Sequence, residues 1–135
     1  MSSQYNLQVG DVVHVPLYGF LKHYGVVIHG GSPFHEPLIR TVLREKKEAV
    51  TQTQSEFSNG QKISIIPYPS QLPRWQVVDR ALSITDFKYS LLNNNCEHFY
   101  RRVHGLSNCS PQVIMGGIAL LGLFFAIKSG KTPIT

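Results

Sequence analysis

Cysteine is scarce in this chain: the 135 residues contain two, Cys96 and Cys109. There is no Cys-x-x-Cys pair and no His/Cys cluster at metal-ligand spacing, so the sequence offers neither a disulfide framework nor a zinc site. A reducing compartment is the expectation, with no metal and no other cofactor. A phosphate-cradling glycine loop and a dinucleotide fingerprint are also missing. The opening Met1-Ser2-Ser3-Gln4-Tyr5 lacks the basic start and apolar core of a secretory signal. Lys and Arg number 13 against 8 Asp and Glu, a formal net charge of +5, yet no run of five or six basic residues occurs. Arg40, Arg44, Lys46, Lys47, Arg74, Arg80, Arg101 and Arg102 are scattered and not interleaved with aromatics, which argues against a nucleic-acid partner. A mildly basic surface does suit contact with anionic lipid head groups.

What the chain does contain is a cysteine in a particular place. Tyr89-Ser90-Leu91-Leu92-Asn93-Asn94 leads into Asn95-Cys96-Glu97-His98-Phe99-Tyr100, an apolar stretch giving way to a helix with capping chemistry just before it. A thiol at a helix N-terminus meets the positive end of the macrodipole and unpaired backbone N–H groups. Both favour the thiolate, the attacking form. Far upstream, Gly10-Asp11-Val12-Val13-His14-Val15 and Lys22-His23-Tyr24-Gly25-Val26-Val27-Ile28-His29 are two β-branched runs flanking a loop, as two strands would be. His23 stands at the start of the second. A cysteine at a helix start and a histidine at a strand start, distant in sequence, is the arrangement of thiol hydrolases.

His23-Tyr24-Gly25 together with Asn95-Cys96-Glu97-His98-Phe99 resembles the lecithin:retinol acyltransferase family, which includes the small phospholipase A/acyltransferases. The likeness runs over roughly residues 7 to 106. It implies a permuted papain-like core, shared with thiol hydrolases of the NlpC type, and a cysteine that takes an acyl group from a glycerophospholipid as a thioester. By position, Cys96 matches the nucleophile and His23 the general base. The family's third polar residue lies twelve positions after the base, where this chain has His35, expected to orient the imidazole. The setting Ser32-Pro33-Phe34-His35-Glu36-Pro37 is a poor one for a central strand. If the strand begins near Leu38 instead, Arg40 or Thr41 faces the site and His35 belongs to a loop. His29 shares the strand face of His23 by period-two alternation and is a weaker candidate. Supporting residues at the boxes are Tyr24, Asn95 and His98, with packing or helix capping as the plain alternative for each. The backbone N–H of Cys96 is the expected oxyanion donor.

The expected fold class is α+β: a small, mainly antiparallel sheet packed on the nucleophile helix, plus a C-terminal hydrophobic helix. Strands are expected over 7–15, 24–28 and 38–43, and an edge strand over 60–67, which alternates and ends in Pro67. Residues 44–58, rich in Lys, Glu, Gln and Thr, read as a flexible insertion or an exposed hairpin. Residues 68–73 form a turn or linker. A helix is expected over 74–83, burying Trp75, Val78 and Leu82. The cysteine helix runs from Cys96 to Gly105. Residues 1–106 thus form one catalytic domain, and 107–135 a separate segment. No charged residue occurs from Gly105 to Ile127, and Val113 to Ile127 is apolar or glycine throughout. A bilayer span needs about twenty residues. A membrane anchor is the reading, with a docked core helix as its alternative, and Cys109 lies just before it as a possible acylation site.

The partners expected are therefore a glycerophospholipid acyl donor and a membrane surface. Two rival readings stand beside this one: a thiol peptidase or isopeptidase on a related fold, and a catalytically silent, membrane-tethered interaction module.

Overall fold

The computed structural model describes residues 6–17, 21–43, 48–85 and 95–106. Its centre is a five-stranded sheet in the order β4-β3-β2-β1-β5, every pairing antiparallel. The strands are β1 (Val12–Leu17), β2 (Leu21–His29), β3 (Leu38–Val42), β4 (Ala49–Thr53) and β5 (Ser64–Ile65). Among the described residues three helices accompany them: α1 (Gln54–Ser58), α2 (Arg74–Ser83) and α3 (Cys96–Val103). This is the α+β class expected of the sequence.

β1 and β2 pair from Val12↔Val26 to Leu17↔Leu21, and alternation along them sends side chains to two separate cores. One face carries Val12, Tyr24, Val26 and Val42 and receives Val77, Ala81, Phe99, Tyr100 and Val103 from α2 and α3. The other carries Val13, Val15, Val27 and Ile39, covered by Leu7, Phe57 and Ile63. With both faces buried, β-branched residues on either parity stabilise the strands, which explains the unbroken Val-Val pairs at 12–13 and 26–27.

Three local expectations need correction. β1 starts at Val12 and not near residue 7, because Gly10 takes a left-handed φ of 87° in a turn closed by the Asp11 N–H donating to Gln8 O at 3.0 Å. Of the two readings of 44–58, the flexible insertion gives way to the hairpin: Ala49–Thr53 pairs antiparallel with β3 from Leu38↔Thr53 to Val42↔Ala49. It then turns into α1 through a Thr53/Glu56 capping box, and α1 buries Phe57. Burying that one ring contributes about 1.5–3 kcal/mol, enough to dock a helix otherwise too short to form. Finally, α2 has the expected bounds but a different inward face. Val77 and Ala81 are buried, whereas Trp75 is 71% exposed and Leu82 49%.

Arginines lock the helices to the sheet. Arg40 of β3 donates to the carbonyls of Ala81 (3.3 Å) and Ile84 (3.2 Å) at the end of α2. Arg80 of α2 donates to the carbonyls of Val103 and Arg102 at the end of α3, both at 2.7 Å. Each guanidinium donates to carbonyls at the C-terminal end of a helix. The chain of contacts β3–α2–α3 fixes where α3, and so Cys96, meets β2.

The apolar segment from residue 107 onward, with Cys109, lies outside the described residues. Among the described residues no helix is long and apolar enough to cross a membrane.

Candidate active site

Asn95 starts α3. Its backbone is extended, and its Oδ1 accepts the N–H groups of Glu97 (2.9 Å) and His98 (3.1 Å). His98 answers by accepting the Asn95 N–H on Nδ1 at 3.1 Å. The pair is a capping box in which histidine takes the usual place of Glu or Gln. Burial lowers the His98 pKa, with Arg101 acting in the same sense and Glu97 opposing, which keeps the Nδ1 lone pair available. Both residues are thus engaged in the cap, the plain alternative foreseen for them.

Cys96 is 2% exposed. Its Sγ accepts the Tyr24 N–H at 3.3 Å and lies 3.8 Å from the Lys22 carbonyl oxygen, towards which the S–H donates. Those two residues flank His23, so the sulfur sits against the backbone on either side of it. The opening exists because β2 and β3 pair only from His29↔Leu38 to Val26↔Arg40. Beyond that point Thr41 Oγ1 donates to the Tyr24 carbonyl at 2.6 Å, and the thiol takes the Tyr24 N–H. Thr41, one of two alternatives to His35 on β3, therefore shapes the site. Arg40, the other, is committed to α2.

The thiol itself departs from expectation. Burial pushes its pKa up to about 11, and the N–H groups of Tyr24, Cys96 and Glu97 only partly offset this, while the Glu97 charge adds to the rise. A helix start favours thiolate, but removing the sulfur from water outweighs it. At neutral pH Cys96 is a thiol.

Tyr24 contributes its backbone. Its ring packs against Tyr100 (centroids 4.8 Å) and meets His14 edge-on (5.4 Å), and burial raises the pKa of its phenol. His23, half-buried on the opposite sheet face, stacks on Phe57 with ring centroids 4.9 Å apart and planes 25° from parallel.

His35 is not brought to the thiol. It is exposed in the β2–β3 connection, bridged to Ser32, beyond the His29 end of β2. Cys96 meets β2 at Lys22–Tyr24, and the five residues from Tyr24 to His29 span roughly 16 Å at strand rise. The two prolines at 33 and 37 are the physical reason, since they delay β3 to Leu38. His29 also lies at that far end, with Nδ1 accepting the Gly31 N–H at 3.0 Å. A surface cavity of about 510 Å³ is lined there by His29, Phe34, His35, Glu36, Leu38 and Thr53. Among the described residues no cluster of His, Cys, Asp or Glu is disposed to hold a metal ion.

Sequence reasoning missed Phe57. The signal was present in Thr53-Gln54-Ser55-Glu56, a capping-box pattern immediately before the only aromatic of the 44–58 stretch.

Comparison with curated proteins finds no match. Residues 5–105, spanning both motifs and the whole sheet, match the family model described as lecithin retinol acyltransferase. The chain belongs to that family of acyltransferases.

Proposed function

We propose that this member of the lecithin retinol acyltransferase family is a cysteine-dependent phospholipid acyl hydrolase and acyltransferase, working through an acyl-Cys96 thioester. The observation that supports it best is the placement of the Cys96 sulfur, at the capped start of α3 and against the peptide groups flanking His23. Because the resting thiol is protonated, the base acts during attack and not beforehand. His23 takes the S–H proton as Sγ bonds to the ester carbonyl carbon of a glycerophospholipid, and the Cys96 N–H meets the oxyanion. Collapse breaks the ester C–O bond, His23 returns the proton to the departing lysophospholipid, and the acyl group stays on Cys96. Water, an amine or an alcohol then attacks the thioester, giving its proton to His23 while the thiol is restored.

In this reading residues 1–106 form the catalytic domain and 107–135 hold it at the membrane. Confinement to the surface that contains the substrate raises its effective concentration. The basic side chains other than Arg40, Arg74 and Arg80, which are bonded within the fold, meet lipid phosphates, and the free thiol chemistry suits a reducing compartment.

The test is lysophospholipid release from phosphatidylcholine vesicles by the full chain, beside Cys96→Ala and His23→Gln. Release by the wild type, abolished in the first variant and reduced at least about a hundredfold in the second, is expected from loss of nucleophile and base. Cleavage of peptide or isopeptide substrates with no lysophospholipid would replace the proposal with the peptidase reading.

A further inference from the structure

His23 of β2 and Phe57 of α1 are 34 positions apart, and three observations show that their contact is built. The rings are stacked, with centroids 4.9 Å apart and an interplanar angle of 25°. Position 25, two residues along the strand on the same face as His23, is glycine. A Cβ there would lie 2.8 Å from Phe57 Cε1 and would also strike Ile39 Cγ2, so the absence of a side chain makes the room Phe57 uses. Phe57 is also held from both ends of α1. The Thr53/Glu56 box and the Gln54 N–H bond to Pro37 O (3.0 Å) fix the start, and Asn59 in the left-handed region (φ 48°) closes the end. A five-residue helix with this much anchoring sets the ring's plane.

We propose that Phe57 is a positioning residue for His23: its ring face fixes the plane of the imidazole and stabilises the imidazolium that forms when the thiol proton is taken up. The inference rests on the role given to His23 above. The physical basis is the quadrupole of the phenyl ring, whose negative face attracts a cation within about 6 Å of its centroid. Neutral imidazole gains little from that face and imidazolium gains more, so the stack raises the proton affinity of the base. Other titratable groups on the neighbouring elements are accounted for. Cys96 comes from α3, and Lys22 adjoins His23 on β2. His14 of β1 lies against Tyr24 on the other face. Arg40 of β3 is bonded to α2, and Glu56 of α1 accepts the Thr53 N–H.

The experiment is an NMR titration of the His23 ring in the full-length protein, its resonance assigned with His23→Gln. Wild type is compared with Phe57→Leu and with a chain carrying pentafluorophenylalanine in place of Phe57. The fluorinated ring keeps the shape and reverses the quadrupole, so it reports on electrostatics even if the leucine variant fails to fold. The expected result is a His23 pKa lower by about half a unit or more in the fluorinated protein, with Phe57→Leu moving the same way. Coincident titration curves for wild type and the fluorinated protein would overturn the proposal, as would a fall confined to Phe57→Leu. The readout is proton binding and not turnover. A shifted pKa in a protein that releases no lysophospholipid would therefore sink the proposed function and leave the His23–Phe57 coupling standing.

Discussion

The protonation state of Cys96 is the point at which a helix-start argument and the folded structure disagree, and it can be measured. The ordinary value for the thiol is 9.0 and burial carries it to about 11. That difference of about two units makes the thiolate roughly a hundredfold rarer at neutral pH in the native protein than in the unfolded chain. The assay is iodoacetamide alkylation of Cys96 followed by peptide mapping, across a pH series, native and in urea. Native alkylation at about pH 7 should be slower than unfolded by that factor or more, and the native profile should still be climbing at about pH 10. Access alone would slow the rate without moving the midpoint, so the midpoint decides. Stability gives a second reading. A group whose folded pKa is raised contributes stability that is complete below its unfolded pKa and lost as pH rises through the folded one. For Cys96 the window runs from 9.0 to about 11, with a loss of roughly 3 kcal/mol, order of magnitude only. Cys96→Ala should abolish that part of the alkaline slope. A native alkylation midpoint below about pH 8 would refute the reasoning and restore the resting thiolate expected of an uncovered helix start.

Further expectations concern the frame around the site. Gly25→Ala places a methyl 2.8 Å from Phe57 Cε1 and should cost about 1–3 kcal/mol by urea denaturation; a loss below about 0.5 kcal/mol would mean the second core is looser than drawn. His104, 1% exposed, sits with Nε2 2.8 Å from Gly10 O and Nδ1 2.6 Å from Ser70 Oγ, and burial lowers its pKa, as it does for His14 and His98. Groups with lowered folded pKa values contribute stability above the unfolded value of 6.5, lost as pH falls through the folded ones. The denaturation midpoint should therefore drop between about pH 7.5 and pH 5.5, and a flat profile would contradict the burial of these rings. His35→Ala should leave both stability, within about 0.5 kcal/mol, and lysophospholipid release unchanged. A tenfold loss of release would show that His35 reaches the thiol during turnover.

Much of this was legible in the residues because it depends on local chemistry. Asn95 announces the start of α3, and Gly105 at φ 71° ends it. The Val-rich runs give β1 and β2, and the alternation before Pro67 gives an edge strand, realised as Ser64–Ile65 on β1. What could not be read depends on neighbours distant in sequence. β4 is an edge strand with one buried residue, Ala49, and carries almost no hydrophobic pattern. On α2, Val78 and Leu82 compete with Val77 and Ala81 for the inward face, and it is Val77 and Ala81 that enter the core shared with the sheet and α3. The thiol pKa follows from the burial of Cys96 in one core with Tyr24, Phe99 and Tyr100. For His35 the residues left both outcomes open: the family spacing pointed to the site, and the two prolines pointed to a strand from Leu38 with His35 in a loop, which is what forms.

The central claim is an acyl group carried on Cys96. Intact-protein mass spectrometry after incubation of the full chain with phosphatidylcholine vesicles tests it most directly, with Cys96→Ala alongside. The account predicts a hydroxylamine-labile adduct with the mass of one fatty acyl chain on the wild type and none on the variant. An unmodified wild type, under conditions in which it releases lysophospholipid, would contradict it.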